Sequence, residues 1–353
     1  LPACKGAVEN DPEDIVSAFR LARVLLAADR AEEALPLVES ALQAEYILAH
    51  NLIGYMYLSG LGVKQDHAEA FEAFQRGHTL GDRRSTYNLG WMHHTGTHVE
   101  RNYILAAEYY RKAAEAGFEY AAFALSQMLW NRDGQSVNSA EAMRFLRQAA
   151  DAGHADAQAE LARRLINGDG IAKDVFAGYA KAAEASKNGS GYAAYLQGFL
   201  HENGIGRPKN IVSAVWFYRV ATSRSDTLGQ VSLGRLLVEG KGISHDPVRA
   251  RDLFLQAAKN GNKEAQARLG KMLMQGEGGP KNTQEGLQWL ETASDHPISK
   301  HIRGLRSWMD SASRQERASA LALLKQAADS GLADAQVSAA KILVSEDSGS
   351  FRD

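Results

Sequence analysis

Four histidines, His78, His93, His94 and His98, form the one local cluster among the 11 in the chain. Neutral imidazoles bind zinc, and His94 and His98 stand about one helical turn apart. Gly96 breaks the helix between them, so packing and surface roles are expected for these rings and no metal is assigned. The glycine-spaced stretches GLGVKQD (60–66), GDGIAKD (168–174), GIGRPKN (204–210) and GKGISHD (240–246) raise phosphate binding instead. A dinucleotide fingerprint needs a strand before the loop and a third glycine opening a helix. Here each loop runs into an aspartate or asparagine, which puts a negative charge or a competing acceptor where phosphate would sit. The loops read as turns, and no cofactor is expected. No Ser-His-Asp order, nucleophile elbow or cysteine–histidine pair stands in a supporting context. Paired carboxylates such as Glu32 and Glu33 fall on solvent faces of helices. No catalytic residue is assigned, and the chain is read as not an enzyme.

The elements that must carry these side chains are helices. Pro 7 in 353 residues leaves helices uninterrupted. Gly 32 is costly inside them, at about 1 kcal/mol per interior site, so the glycines are expected to punctuate the chain. At 45% hydrophobic and 23% charged residues the chain is globular rather than disordered or fibrous. Lys+Arg 40 against Asp+Glu 42 gives net −2, which points to neither nucleic acid nor an anionic membrane. No apolar run approaches the ~20 residues of a membrane span. Cys 1 excludes an intramolecular disulfide framework and a multi-thiolate metal site.

Position accounts for the glycines. RKAAEAGFEYA, RQAADAGHADA and LQAAKNGNKEA place Gly117, Gly153 and Gly261 on a spacing of 36. Gly81 and Gly189 fit the same series, Ser225 and Pro297 replace glycine, and Gly331 follows at 34, so two residues are missing near Pro297. Fifteen residues before each stands Asp66, Asn102, Asn138, Asp174, Asn210, Asp246, Asn282 or Glu316. All but the last are preferred helix N-caps. Each unit therefore has a second helix begun by the acid or amide and ended at glycine, which adopts the left-handed conformation cheaply. A first helix is marked by Gly54, Gly90, Ser126, Ala162, Gly198, Gly234, Gly270 and Gly304, small residues that let paired helices approach closely.

The pattern small-x-x-x-Leu-Gly, then Gly-x-Gly-Val/Ile-x-x-Asp, then Ala-Ala-x-x-Gly resembles the Sel-one-like repeat, a relative of the tetratricopeptide repeat. YNLGWMHHTGTHVERNYILAAEYYRKAAEAG (87–117) matches nearly throughout, apart from His98 in place of the second loop glycine. Eight such repeats are expected over 46–331, with irregular turns at WNRDGQSVN (130–138) and WMDSASRQE (308–316). Residues 13–45 look like a tetratricopeptide unit, 1–12 like the end of a preceding repeat, 332–346 like a terminal capping helix and 347–353 like a polar tail. The chain then begins and ends in mid-repeat, as a piece of a longer protein would. LPAC (1–4) is similar to a bacterial lipoprotein cleavage site with Cys4 as lipid anchor, but no hydrophobic segment precedes it and the repeat-end reading is preferred.

The resemblance implies an all-α fold, a right-handed α/α superhelix (solenoid) whose units stack because one helix pair cannot bury its apolar face alone. It also implies that first helices line a concave surface, with side chains presented three before, one after and four after the first-helix small residue. Those positions hold Asn51 and Tyr55, then Tyr87, Trp91 and His94, then Phe123, Gln127 and Trp130. Further along come Arg163, then Tyr195, Phe199 and Glu202, then Arg235 and Lys271. An aromatic stretch thus gives way to a sparser basic lane, and aromatics and arginine dominate binding energy at interfaces. Tyr87, Phe123 and Tyr195 sit where packing is an equal claim. The expectation is a non-catalytic scaffold or adaptor, bacterial, that binds a peptide or protein in the groove, as the recognition arm of a larger effector or signalling protein. A carbohydrate-binding module at the cell envelope, with Trp91 and Trp130 stacking on sugar rings, is the alternative. Bacterial cytoplasm and periplasm both stay open.

Overall fold

The computed structural model describes residues 11, 14–131, 138–311 and 313–347. Cys4, most of the segment read as a preceding repeat, the loop residues 132–137 of the third unit and the tail from 348 lie outside the described residues. Helix starts follow local hydrogen-bond chemistry. The side-chain oxygens of Asp66, Asn102, Asn138, Asp174, Asn210, Asp246 and Asn282 each accept backbone N–H two or three residues on. They satisfy donors that the first turn leaves without partners. A second set of caps, Asp82, His154, Ser190, Asp226 and Asn262, opens the first helices in the same way. Each stands one residue after the left-handed position of the preceding turn, which is Gly81 at φ 86° before Asp82 and Ser225 at φ 59° before Asp226.

Nineteen helices are present among the described residues. Those of residues 1–173, a compact unit, are α1 (Ile15–Ala27), α2 (Ala31–Gln43), α3 (Ile47–Ser59), α4 (His67–Thr79), α5 (Arg83–Thr95), α6 (Tyr103–Glu115), α7 (Glu119–Asn131), α8 (Ser139–Asp151) and α9 (Ala155–Asn167). Those of the second compact unit, 174–353, are α10 (Val175–Lys187), α11 (Gly191–Asn203), α12 (Ile211–Ser223), α13 (Thr227–Glu239), α14 (Pro247–Lys259), α15 (Lys263–Gln275), α16 (Thr283–Thr292), α17 (Pro297–Asp310), α18 (Arg314–Asp329) and α19 (Ala333–Asp347). Within each unit a first helix packs most closely on its own second helix, as α5 does on α6 and α11 on α12, and the next pair stacks on it. Both units are all-α solenoids of helix pairs.

The first-helix glycine is required by its partner's ring. A Cβ built on Gly90 would stand 2.8 Å from Tyr110 Cδ1, and one on Gly198 would stand 2.6 Å from Tyr218. Tyr110 and Tyr218 are each 1% exposed. Fully burying a large side chain contributes roughly 1.5–3 kcal/mol, so these ring-on-glycine contacts anchor their helix pairs. Alanines such as Ala106, Ala113 and Ala121 fill the narrow seams around them.

The eighth unit departs from the sequence expectation. Its second helix starts at Arg314, because Ser313 and Glu316 form a reciprocal capping box, so Glu316 is the third helical residue rather than the cap. At the missing pair of residues, Pro297 opens α17, and α16 is correspondingly short, with 10 residues. Proline suits that first helical position because its absent N–H would have had no partner. His98, at φ 65°, takes the left-handed place of the missing loop glycine.

Candidate functional site

The side chains expected to face a partner all lie on first helices, from α3 to α15, and the structure sorts them by what each touches. Asn51 is half-buried, and Tyr55 is 47% exposed. Tyr87 lies against the rings of Tyr110 and Phe118, both at 5.4 Å, and burial pushes its hydroxyl pKa up. Trp91 is half-buried and packs against the core. His94 meets Tyr103 edge-on at 5.6 Å and faces the Tyr110 hydroxyl at 3.5 Å. Phe123 packs on the imidazole of His154 at 4.8 Å, and Gln127 is half-buried beside it in α7. One face of Trp130 is covered by the guanidinium of Arg164, 3.2 Å from the ring centroid, a cation–π contact between a half-buried ring and a buried cation.

The expected basic lane is neutralised where the structure places it. Arg163 binds Glu160 at 2.8 Å and Asp169 at 2.6 Å. Arg235 pairs with Glu202 and lies 3.5 Å from Glu239. The second carboxylate oxygen of Glu202 accepts from the Tyr218 hydroxyl at 2.7 Å. Desolvation would lower the Arg235 pKa, yet these carboxylates hold it above the usual value. Lys271 is looser, 3.8 Å from Asp334.

Tyr195, Phe199, Glu202 and Arg235 do come together. They line a cavity of about 300 Å³ between α11 and α13, with the Tyr218 hydroxyl at its edge. Tyr195 stacks on Tyr218 at 6.0 Å and meets Phe199 at 6.2 Å, so two walls are aromatic. A larger cavity, about 520 Å³, opens between α15, α17 and α19 and includes Lys271 with Met274, His301 and Leu305. Of these only Lys271 stands out in the sequence reading. The same three positions counted from Gly270 and Gly304 would have found the other three, because the spacing holds into the last repeat.

The clustered histidines are engaged in packing, His93 and His98 both on Phe71 and His78 and His93 both on Tyr109. His93 stacks on Tyr109 at 5.7 Å, His98 lies against Phe71 at 5.6 Å, and His78 Nδ1 is 2.8 Å from the Thr86 hydroxyl. Among the described residues no group of three His, Cys, Asp or Glu side chains is placed to hold a metal ion. Among them, too, no helix is long and apolar enough to cross a membrane.

A family model for the Sel1 repeat matches residues 43–78, 84–118, 119–154, 155–186, 191–226, 227–262, 263–297 and 311–332. Solved structures share the architecture. That of c5321, a protective antigen present in uropathogenic Escherichia coli strains displaying an SLR fold, aligns at 26% identity over 87% of this chain and 67% of its own, with a TM-score of 0.64. A Sel1 repeat protein from Oxalobacter formigenes aligns at 27% identity over 80% of this chain and 84% of its own, with a TM-score of 0.58. No curated protein matches the sequence.

Proposed function

The chain belongs to the Sel1 repeat family, typically protein-interaction scaffolds, and from that premise we propose that it is a non-catalytic scaffold holding a peptide or protein partner along the face of its first helices. The observation that carries this reading is the cavity walled by Tyr195 and Phe199 over the Glu202–Arg235 pair. Aromatic walls with an arginine in place are the side-chain types that concentrate binding energy. Here the arginine is held by carboxylates in advance, so its geometry needs no ordering on binding. The sugar-stacking alternative has less support, since Arg164 already covers one face of Trp130.

The test is site-specific photo-crosslinking. A photoreactive phenylalanine analogue replaces Tyr55 or Phe199, which are 47% and 37% exposed, or Trp216 on a second helix, which is 58% exposed. Protein adducts are expected from the first two positions and not from Trp216. Tyr55→Ala and Phe199→Ala should weaken recovery of the same adducted protein while the thermal midpoint hardly moves. Adducts confined to Trp216, or capture of glycans on an array with no protein adduct, would overturn the reading.

A further inference from the structure

The polar groups of the cavity walled by Tyr195 and Phe199 select one sign of charge. Three charged side chains line it among the described residues, Glu202, Arg235 and Glu264. Arg235 is held by Glu202 and, at 3.5 Å, by Glu239, which also takes Lys241 at 2.8 Å. Glu264 takes Arg268 at 2.8 Å, and Asp226, the cap of α13, bears on the Tyr195 hydroxyl. Together four carboxylates, Glu202, Glu239, Glu264 and Asp226, face three cations, Arg235, Arg268 and Lys241. Lys241, with its side chain 66% exposed, stands furthest into water. The Tyr195 hydroxyl senses the same surplus. Burial pushes its pKa up, and Asp226, Glu264 and Glu202 push it further, while Arg235 opposes them.

Hydrogen bonding narrows the choice further. Both oxygens of Glu202 are taken, one by Arg235 and one by the Tyr218 hydroxyl. Arg268 approaches Oε1 of Glu264 through Nε and a terminal nitrogen, both at 2.8 Å, which leaves Oε2 open to a further donor on a side chain 41% exposed. Asn203 donates from Nδ2 to the Phe199 carbonyl at 2.9 Å, which leaves its Oδ1 as an acceptor. An anionic side chain would therefore meet carboxylates and an arginine already occupied. A cation meets two acceptors beside aromatic rings, whose quadrupole attracts it. We propose that this cavity takes a lysine or arginine side chain of the partner, seated against the Phe199 and Tyr195 rings with its N–H groups on Glu264 and Asn203. At about 300 Å³ the cavity stands at the small end of ligand pockets, a size for one side chain rather than a helix face. The proposal rests on the first-helix-face reading and names the partner chemistry at the place that carries it.

The probes are N-acetyl-lysine methylamide, its Nε-acetylated form, which is uncharged, and N-acetyl-glutamate methylamide. Each is titrated into the full chain with para-fluorophenylalanine in place of Phe199 and followed by fluorine NMR. The lysine probe should shift the resonance saturably, bind about tenfold tighter than either of the others, and weaken as salt is raised. Glu264→Gln should weaken the lysine probe about threefold and leave the Nε-acetylated one unchanged. Asn203→Ala, at an exposed position, should weaken the lysine probe with no change in thermal midpoint. No saturable shift, equal binding of charged and uncharged probes, or tighter binding of the glutamate probe would overturn the proposal. So would lysine binding that neither Glu264→Gln nor Asn203→Ala alters. Protein adducts from the Tyr55 and Phe199 positions would persist if this proposal alone failed, which separates it from failure of the broader reading.

Discussion

A side chain in left-handed backbone crowds its own carbonyl, at a cost of about 1–2 kcal/mol that glycine escapes. The turn after each second helix is where this chain meets that cost. Gly117 and Gly261 occupy it at φ 79° and 82°, whereas Ser225 holds the same place at φ 59°. Ser225→Gly should therefore stabilise the protein by about 0.5–1 kcal/mol, the relief being partly offset by the greater freedom glycine gives the unfolded chain. Urea unfolding at constant slope would read this as a raised midpoint. A lowered midpoint would mean that the serine side chain contributes more than its backbone costs. The interruption at Ser225 is legible from spacing alone, as is that at His98, because cap and turn preferences depend on a few neighbouring residues. Pro297 is legible only as an irregularity. Whether a two-residue deletion shortens the helix before it or the turn depends on how α17 seats on α15, which no local preference encodes.

Helix starts bring a titration into the fold. His154 opens α9 by accepting the Ala157 N–H on Nδ1 at 3.2 Å, and His296 opens α17 by accepting from Ile298 at 3.3 Å. A ring nitrogen that accepts must carry no proton. Burial pushes both imidazoles below the usual histidine pKa and outweighs nearby carboxylates, Asp156 and Glu119 for the first and Glu264 for the second. With the folded value lowered, the unfolded chain takes up protons first, so stability rises with pH in this range. The contribution is complete above the ordinary value of about 6.5 and is lost as pH falls from there through the lowered one. Denaturant midpoints should thus decline on acidification below that point. His154→Asn with His296→Asn, which keeps a capping acceptor that does not titrate, should shrink the decline, and an unchanged profile would place the titration in other buried histidines. Neither cap stands out in the sequence, since histidine is a poor signal for a helix start. The contacts between stacked pairs were hidden for a different reason. Arg83 to Gly117, Gln148 to Ala114, Arg224 to Ser190 and Arg235 to Glu202 all join residues 33 or 34 positions apart. That is close to one repeat, so which side chains meet is set by the stacking offset between pairs and not by the pattern within either. The basic lane read from spacing dissolves at Arg235 on that account, because Glu202 reaches it only across the stack, whereas Arg163 is neutralised locally by Glu160 and Asp169.

Within each unit, consecutive helices pack on one another and some first helices touch the next first helix, as α11 touches α13, with almost nothing further. Stability is then a sum of repeat terms and nearest-neighbour interfaces rather than the property of one closed core. In residues 174–353 the apolar cluster of Tyr218, Leu236, Phe254 and Leu269 spans α12 to α15, while Leu324, Ala339 and Ile342 form a separate one near the end. Phe254 is the useful probe. Its ring is 1% exposed and lies where a Cβ on Gly234 would approach it to 2.8 Å. Phe254→Ala removes the ring and leaves the space beside a residue with no side chain to collapse into it, at a cost of about 3–5 kcal/mol. Hydrogen exchange followed by mass spectrometry should show that cost as lost amide protection in α13, α14 and α15, decaying outward and leaving α19 unchanged. Equal loss in every helix of the unit would instead mean that it unfolds as one cooperative block. The distinction bears on function. The two cavities share α15: Glu264 lines the one between α11 and α13, and its partner Arg268, at 2.8 Å, lines the one between α15, α17 and α19, so local opening of α15 would loosen both.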